Sequence, residues 1–148
     1  MKIKFIAAFL GLMLGFTNFA LASTNAAPDE AKSMAVKAAG YLEQHGVDAS
    51  FEAFMAPGGD WHDRDLYVFV IKNDGTMVAH GAKASLVGRN VMSLKDVDGK
   101  AFVAEFLKVQ GEDWIDYKWQ NPQSKAVENK TSYIVRVGEM VVGVGAYR

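Results

Sequence analysis

The side chains best suited to chemistry in this sequence are a few cations and a set of aromatic residues with polar tips. Arg64, Arg89, Lys130 and Arg136 are cations able to hold a small anion. An arginine would grip a carboxylate bidentately, and a lysine would act as a point charge. Tyr67, His80 and Tyr117 could add hydrogen bonds. Tyr117 and Trp119 stand two apart in an extended stretch, so they share a face with Ile115; Tyr67, Phe69 and Ile71 share another. Aromatic faces of this kind suit the wall of a small-molecule pocket. Each residue also has a plainer reading. Tyr117 and Trp119 could be core, and His80, beside a glycine, could make a structural hydrogen bond. Lys130 follows a turn, Arg64 and Arg89 fall in loops, and such cations commonly face water.

Other chemistries find less support. The run Gly59-Asp60-Trp61-His62-Asp63-Arg64-Asp65 gathers three aspartates and a histidine. It lacks the spacing of a calcium-binding loop and any HExxH pattern, so it reads as a solvated charged loop and no metal is expected. There is no Gly-x-Ser-x-Gly elbow, phosphate-binding loop or dinucleotide fingerprint, and nothing pairs two groups as acid and base. Neither an enzyme nor a cofactor is expected. The chain has no cysteine, which excludes disulfides, thiolate zinc sites, iron–sulfur clusters and covalent haem. A formal net charge of −1 argues against a nucleic-acid partner.

These residues must be positioned by a chain of 148 residues, half of them hydrophobic, enough for one ordinary domain with a real core. Residues 1–22 read as a cleavable signal peptide: Lys2 and Lys4 precede an apolar stretch from Phe5 to Phe16, and Ala20-Leu21-Ala22 is a small-x-small cleavage site. An uncleaved membrane anchor is the alternative, since Phe5 to Ala22 approaches spanning length. Export without cysteine fits a bacterial periplasm. The remainder, 23–148, is expected to be a single domain.

Residues 29–45 carry Ala31, Met34, Ala35, Ala38, Ala39 and Leu42 at helical spacing, and Gly46 ends that helix. A short second helix is expected over 50–55. The run 66–71 is apolar at every position, a strand covered on both faces. Asn73-Asp74-Gly75 is a hairpin turn returning into 76–80. A helix over 100–110, a strand over 113–119, and a hairpin of 132–137 and 140–147 complete the order. Hairpin connections dominate, so the expected fold is α+β, an antiparallel sheet of about five strands with a long N-terminal helix and a further helix between strands.

That order, with particular residues, resembles the extracytoplasmic single Cache domain, most closely its second subfamily. The residues are 65–71 (Asp-Leu-Tyr-Val-Phe-Val-Ile), 73–80 (Asn-Asp-Gly-Thr-Met-Val-Ala-His), Leu86-Val87-Gly88-Arg89-Asn90, Asp98-Gly99-Lys100, the stretch from Trp114 to Pro122, Lys130, Tyr133, and Gly143-Val144-Gly145-Ala146-Tyr147. The resemblance implies a PAS-like sensing module with a ligand pocket on one face of the sheet, roofed by the segments between strands. It implies a small organic acid as ligand, with Lys130 as a contact by family position. Family members usually continue into a transmembrane helix and a signalling domain, whereas this sequence stops at Arg148. The expectation is therefore a stand-alone periplasmic protein passing its state to a separate membrane receptor or histidine kinase. The alternative is a structural or interaction protein whose pocket is filled by its own side chains. The N-terminal helix could form a homodimer by family analogy, although its alanine stripe equally suits its own sheet.

Overall fold

A computed structural model describes residues 25–148; the signal-peptide reading of 1–22 lies outside the described residues. Helix α1 spans Pro28–Met55. Pro28 opens it, and the Glu30 carboxylate accepts a hydrogen bond from the Ala27 amide at 2.7 Å, which caps the first turn. Gly46, at φ 77° and ψ 177°, breaks the helical path, so the expected stop is real. The chain resumes its helical course immediately afterwards rather than at Ser50. No helix among the described residues is long and apolar enough to cross a membrane.

The strands are β1 (His62–Asp63), β2 (Leu66–Lys72), β3 (Met77–His80), β4 (Glu112–Gln120), β5 (Val127–Val137) and β6 (Met140–Tyr147). A short helix α2, Phe102–Lys108, precedes β4. The sheet is antiparallel in the order β1-β2-β6-β5-β4, and β3 also pairs with β2. This is the expected α+β, PAS-like arrangement. The sixth strand, β1, is only two residues long and follows a buried Trp61.

Alternation along β2 divides the core in two. Leu66, Val68 and Val70 point to α1, where Ala31, Ala35, Ala38 and Leu42 pack against them together with Tyr133, Val142 and Val144. The small alanines let the helix lie close to the sheet, so its alanine stripe is fully used there. Tyr67, Phe69 and Ile71 point the other way, into a second cluster with Phe102, Val103 and Phe106 of α2 and Tyr117 of β4. Both faces of β2 are therefore covered.

The largest departure from the sequence-based expectation is β5. Its first five residues, Val-Glu-Asn-Lys-Thr, carry no clear strand pattern, yet they pair with β4 from Gln120↔Val127 to Asp116↔Thr131. Pairing with a neighbouring strand, not local propensity, extends the strand. Lys130 consequently sits within a strand opposite Tyr117 and Tyr147, not in a solvated segment after a turn.

Candidate functional site

The second core cluster encloses a cavity of about 20 Å³, room for about one water molecule. Tyr67, Phe69 and Ile71 of β2, Met77 and His80 of β3, and Tyr117 and Trp119 of β4 form its walls. Leu86 and Leu94 of the 81–101 connection, with Phe102, Val103 and Phe106 of α2, close it over. Phe102 stacks on Tyr117 at 4.5 Å between centroids and meets Trp119 edge-on at 5.2 Å. The roof therefore rests on rings of β4.

Lys130 lies behind this wall. Its Nζ donates a hydrogen bond to the Tyr67 hydroxyl at 2.7 Å. The ammonium stands 4.2 Å from the Tyr67 ring centroid and 4.8 Å from that of Tyr147. It is 5.7 Å from Phe69 and 5.8 Å from Tyr117, both in the cavity wall. On its other side Lys130 borders a surface groove of about 300 Å³ with Asp116, Lys118 and Arg148. Only 2% of Lys130 is exposed, so burial pulls its pKa down to about 7 against a partial opposing pull from Asp65.

The stem of Lys130 can cross β6 because residue 145 is glycine. A Cβ at Gly145 would collide with Lys130 Cε and Ser132 Oγ, and one at Gly143 would collide with the Phe69 ring. The close approach that these two glycines allow is made by side chains of the same sheet.

Around the lysine, the tyrosine hydroxyls form a short network. The Tyr67 and Tyr147 hydroxyls are 3.3 Å apart, and Tyr147 donates to the Gln120 carbonyl at 2.7 Å. The Tyr117 and Ser132 hydroxyls are 3.0 Å apart. Burial drives all three phenols upward from their ordinary pKa, so they remain neutral donors and acceptors. His80 accepts backbone N–H bonds at Nδ1 from Ala82 (3.2 Å) and Lys83 (2.9 Å). That leaves the proton on Nε2. Burial first, then the charges of Lys130 and Lys83, lower its pKa to about 3, so the ring is neutral.

The structure thus brings Tyr67, His80, Tyr117, Trp119 and Lys130 together, and it leaves the arginines out. Arg64, at φ 54°, binds Glu30 at 2.6 Å and Asp63 at 2.8 Å on the outside of the fold. Arg89 is exposed, and its carbonyl accepts the Met77 amide at 2.9 Å. Arg136 holds the end of α2, donating to the carbonyls of Val109 (3.0 Å) and Leu107 (2.7 Å) and to the Asn73 side chain. Arg64 and Arg136 are committed to other elements and Arg89 is exposed, so none of the three lines the cavity. In the Gly59–Asp65 run, His62 Nε2 meets the Gly81 carbonyl at 2.9 Å, Asp63 pairs with Arg64, and Asp65 is buried. Their ligating atoms do not converge.

Three participants were not singled out from sequence: Tyr147, Ser132 and Asp65. Tyr147 was within reach, since it lies on the same face of β6 as Gly143 and Gly145 by strand alternation. Asp65 accepts the amides of Ala26 (2.6 Å) and Tyr147 (3.1 Å), partners 39 and 82 residues away, and no local pattern announces such contacts.

Comparison with known proteins places these features in a family. The chain shares 32% identity over 90 residues with the sensor histidine kinase MctS of Rhizobium johnstonii; the match covers 58% of this chain but spans only 20% of the kinase. A methyl-accepting chemotaxis protein from Vibrio parahaemolyticus superposes with a TM-score of 0.69 at 25% identity, covering 80% of this chain and 86% of that one. A Cache chemosensory domain described for carboxylic acid recognition shares the fold, with a TM-score of 0.60 at 20% identity over 80% of this chain and 86% of its own. The family model described as Single Cache domain 2 matches residues 22–148, and the chain belongs to that family.

Proposed function

We propose that this protein is an exported periplasmic module that binds a small organic acid and presents its occupied or free state to a separate membrane receptor or histidine kinase. The observation that carries the reading is Lys130, a buried amine with hydroxyl and ring neighbours, set directly behind the Tyr67, Phe69 and Tyr117 wall of an aromatic cavity. A carboxylate would supply the counter-charge that the site lacks, and its short hydrocarbon part would lie against Phe69, Phe102 and Trp119. Tyr67, Tyr117 and the Nε2–H of His80 would add neutral hydrogen bonds. Recognition of carboxylic acids by a domain of the same fold supports this ligand class. The kinase relative supports a signalling partner. The signal-peptide pattern of 1–22 supports export. The role is binding, with a shift between two conformations as its output, rather than catalysis.

A cavity of about 20 Å³ is too small for such an acid, so binding requires the 81–101 connection and α2 to move outward. The same small volume favours a second reading, in which the aromatic residues are simply core and the protein acts through its surface. A thermal-shift screen with two- to four-carbon carboxylates separates the two. At about a hundred times its Kd, a bound acid should add roughly 2.7 kcal/mol, a shift of several degrees. The Lys130→Met variant should remain folded and lose that shift. If no carboxylate moves the wild type, the interaction-protein reading takes precedence.

A further inference from the structure

Resting on the organic-acid reading, we infer that the acid is taken up together with a proton, which Lys130 accepts as the carboxylate docks on it. The geometry is that of an amine lacking a counter-ion. Nζ makes one hydrogen bond, to the Tyr67 hydroxyl, and otherwise faces the rings of Tyr67, Tyr147, Phe69 and Tyr117. No carboxylate among the described residues forms an ion pair with it.

The titratable groups facing it can be taken element by element. β2 brings Tyr67, β4 brings Tyr117 and β6 brings Tyr147, all kept neutral by burial. β3 brings His80, whose Nδ1 is saturated by two backbone N–H groups and which is neutral. Asp65, just ahead of β2, draws the Lys130 pKa upward, and its two oxygens are engaged by the amides of Ala26 and Tyr147. In the surface groove that Lys130 borders stand Asp96, Asp98 and Lys100 before α2, Asp116 and Lys118 of β4, and Arg148; there Lys118 pairs with Asp98 and Arg148 with Asp116. From α2, the cavity wall receives only Phe102, Val103 and Phe106. Burial therefore outweighs Asp65, and the amine loses its proton near neutrality.

A carboxylate beside Nζ reverses that balance. The nitrogen lone pair takes a proton from solvent, one N–H bond forms, and no bond in the acid breaks. A neutral amine, a carboxylate and a proton become an ammonium–carboxylate pair of zero net charge. Apparent affinity should then be level below about pH 7 and fall up to tenfold per pH unit above it, until the raised pKa of the bound state is reached.

Isothermal titration of the protein with acetate and propionate tests this, using pairs of buffers that differ in ionisation enthalpy. At pH 8.5 we expect close to one proton taken up per acid bound, with affinity roughly tenfold or more below that at pH 6, where uptake is near zero. Equal affinity at both pH values with no uptake at pH 8.5 overturns the inference while leaving the organic-acid reading intact. Proton uptake that persists in Lys130→Met at pH 8.5 also overturns it, because the proton then goes elsewhere. Failure of both acids to bind the wild type at pH 6 removes the organic-acid reading, and the inference with it.

Discussion

Burying an ammonium among phenol rings opposes folding unless the folded state replaces its lost hydration. Lys130 is only partly compensated, by one hydroxyl and by ring faces. The sign of the resulting pH dependence is fixed. Its folded pKa of about 7 lies below the ordinary 10.5, so the unfolded chain binds more protons between those values. Stability from this group therefore rises with pH across that window, by up to about 1.4 kcal/mol per unit, and the full penalty applies below pH 7. Lys130→Met, an unbranched apolar replacement, should raise stability at pH 6 by about 2–4 kcal/mol. Urea unfolding at pH 6 and pH 9 checks this: the gap between variant and wild type should shrink at the higher pH, and a constant gap would refute the assignment. Such a residue weakens the fold it belongs to, as binding sites commonly do. The sequence alone could not reveal the burial, because Lys130 stands in a polar stretch with no apolar alternation around it.

Helix α2 closes the cavity over, and Arg136 is its anchor. The guanidinium donates to two carbonyls at the C-terminal end of α2 and reaches the turn after β2. A helix of seven residues has little stability of its own, so its position depends on such contacts and on Phe102, Val103 and Phe106 beneath it. Arg136→Ala should cost about 1–3 kcal/mol, since charge-assisted bonds to carbonyls are lost. It should also speed amide exchange across 102–109 more than in β5 and β6. Hydrogen-exchange mass spectrometry reads this directly, and uniform acceleration over the whole chain would count against a local anchor. The helix itself was legible from the spacing of Phe102, Val103, Phe106 and Leu107. The arginine's service to it was not, because donor and acceptors lie 27 and 29 residues apart and meet only across the folded sheet.

Across the whole molecule, the two ends of the described chain converge on one carboxylate. Asp65 accepts the amide of Ala26, ahead of α1, and that of Tyr147, at the end of β6. Tyr147 in turn touches the Tyr67 hydroxyl that binds Lys130. The candidate site is thus two hydrogen bonds from Tyr147, and the Asp65 carboxylate carries the connection from its amide to the segment before α1. Asp65→Asn would present an amide N–H to one of the two backbone donors, leaving it unsatisfied at a cost of about 1–3 kcal/mol. Exchange of the Ala26 or Tyr147 amide, followed by NMR, should accelerate well beyond that of the β5–β6 core. Unchanged protection at both amides would show that Asp65 does not hold the ends. The folded pKa of His80, about 3, lies below the ordinary 6.5, so its contribution to stability is fully present above pH 6.5 and is lost as pH falls toward 3.

The α+β class, the break at Gly46, the hairpin at 73–75 and the face shared by Tyr67, Phe69 and Ile71 are legible in the residue types alone. These follow from local rules: glycine's access to positive φ, the period of a strand, and the apolar spacing of a helix. The remaining features come from the tertiary structure. It extended β5 through a polar stretch by pairing it with β4, and so buried Lys130. It drew Arg64 and Arg136 into other contacts, left Arg89 exposed, and brought Tyr147, Ser132 and Asp65 to the surroundings of the lysine. Which cation is buried beside the cavity wall depends on its partners across the sheet, and those partners are set by strand order and register rather than by neighbouring residues.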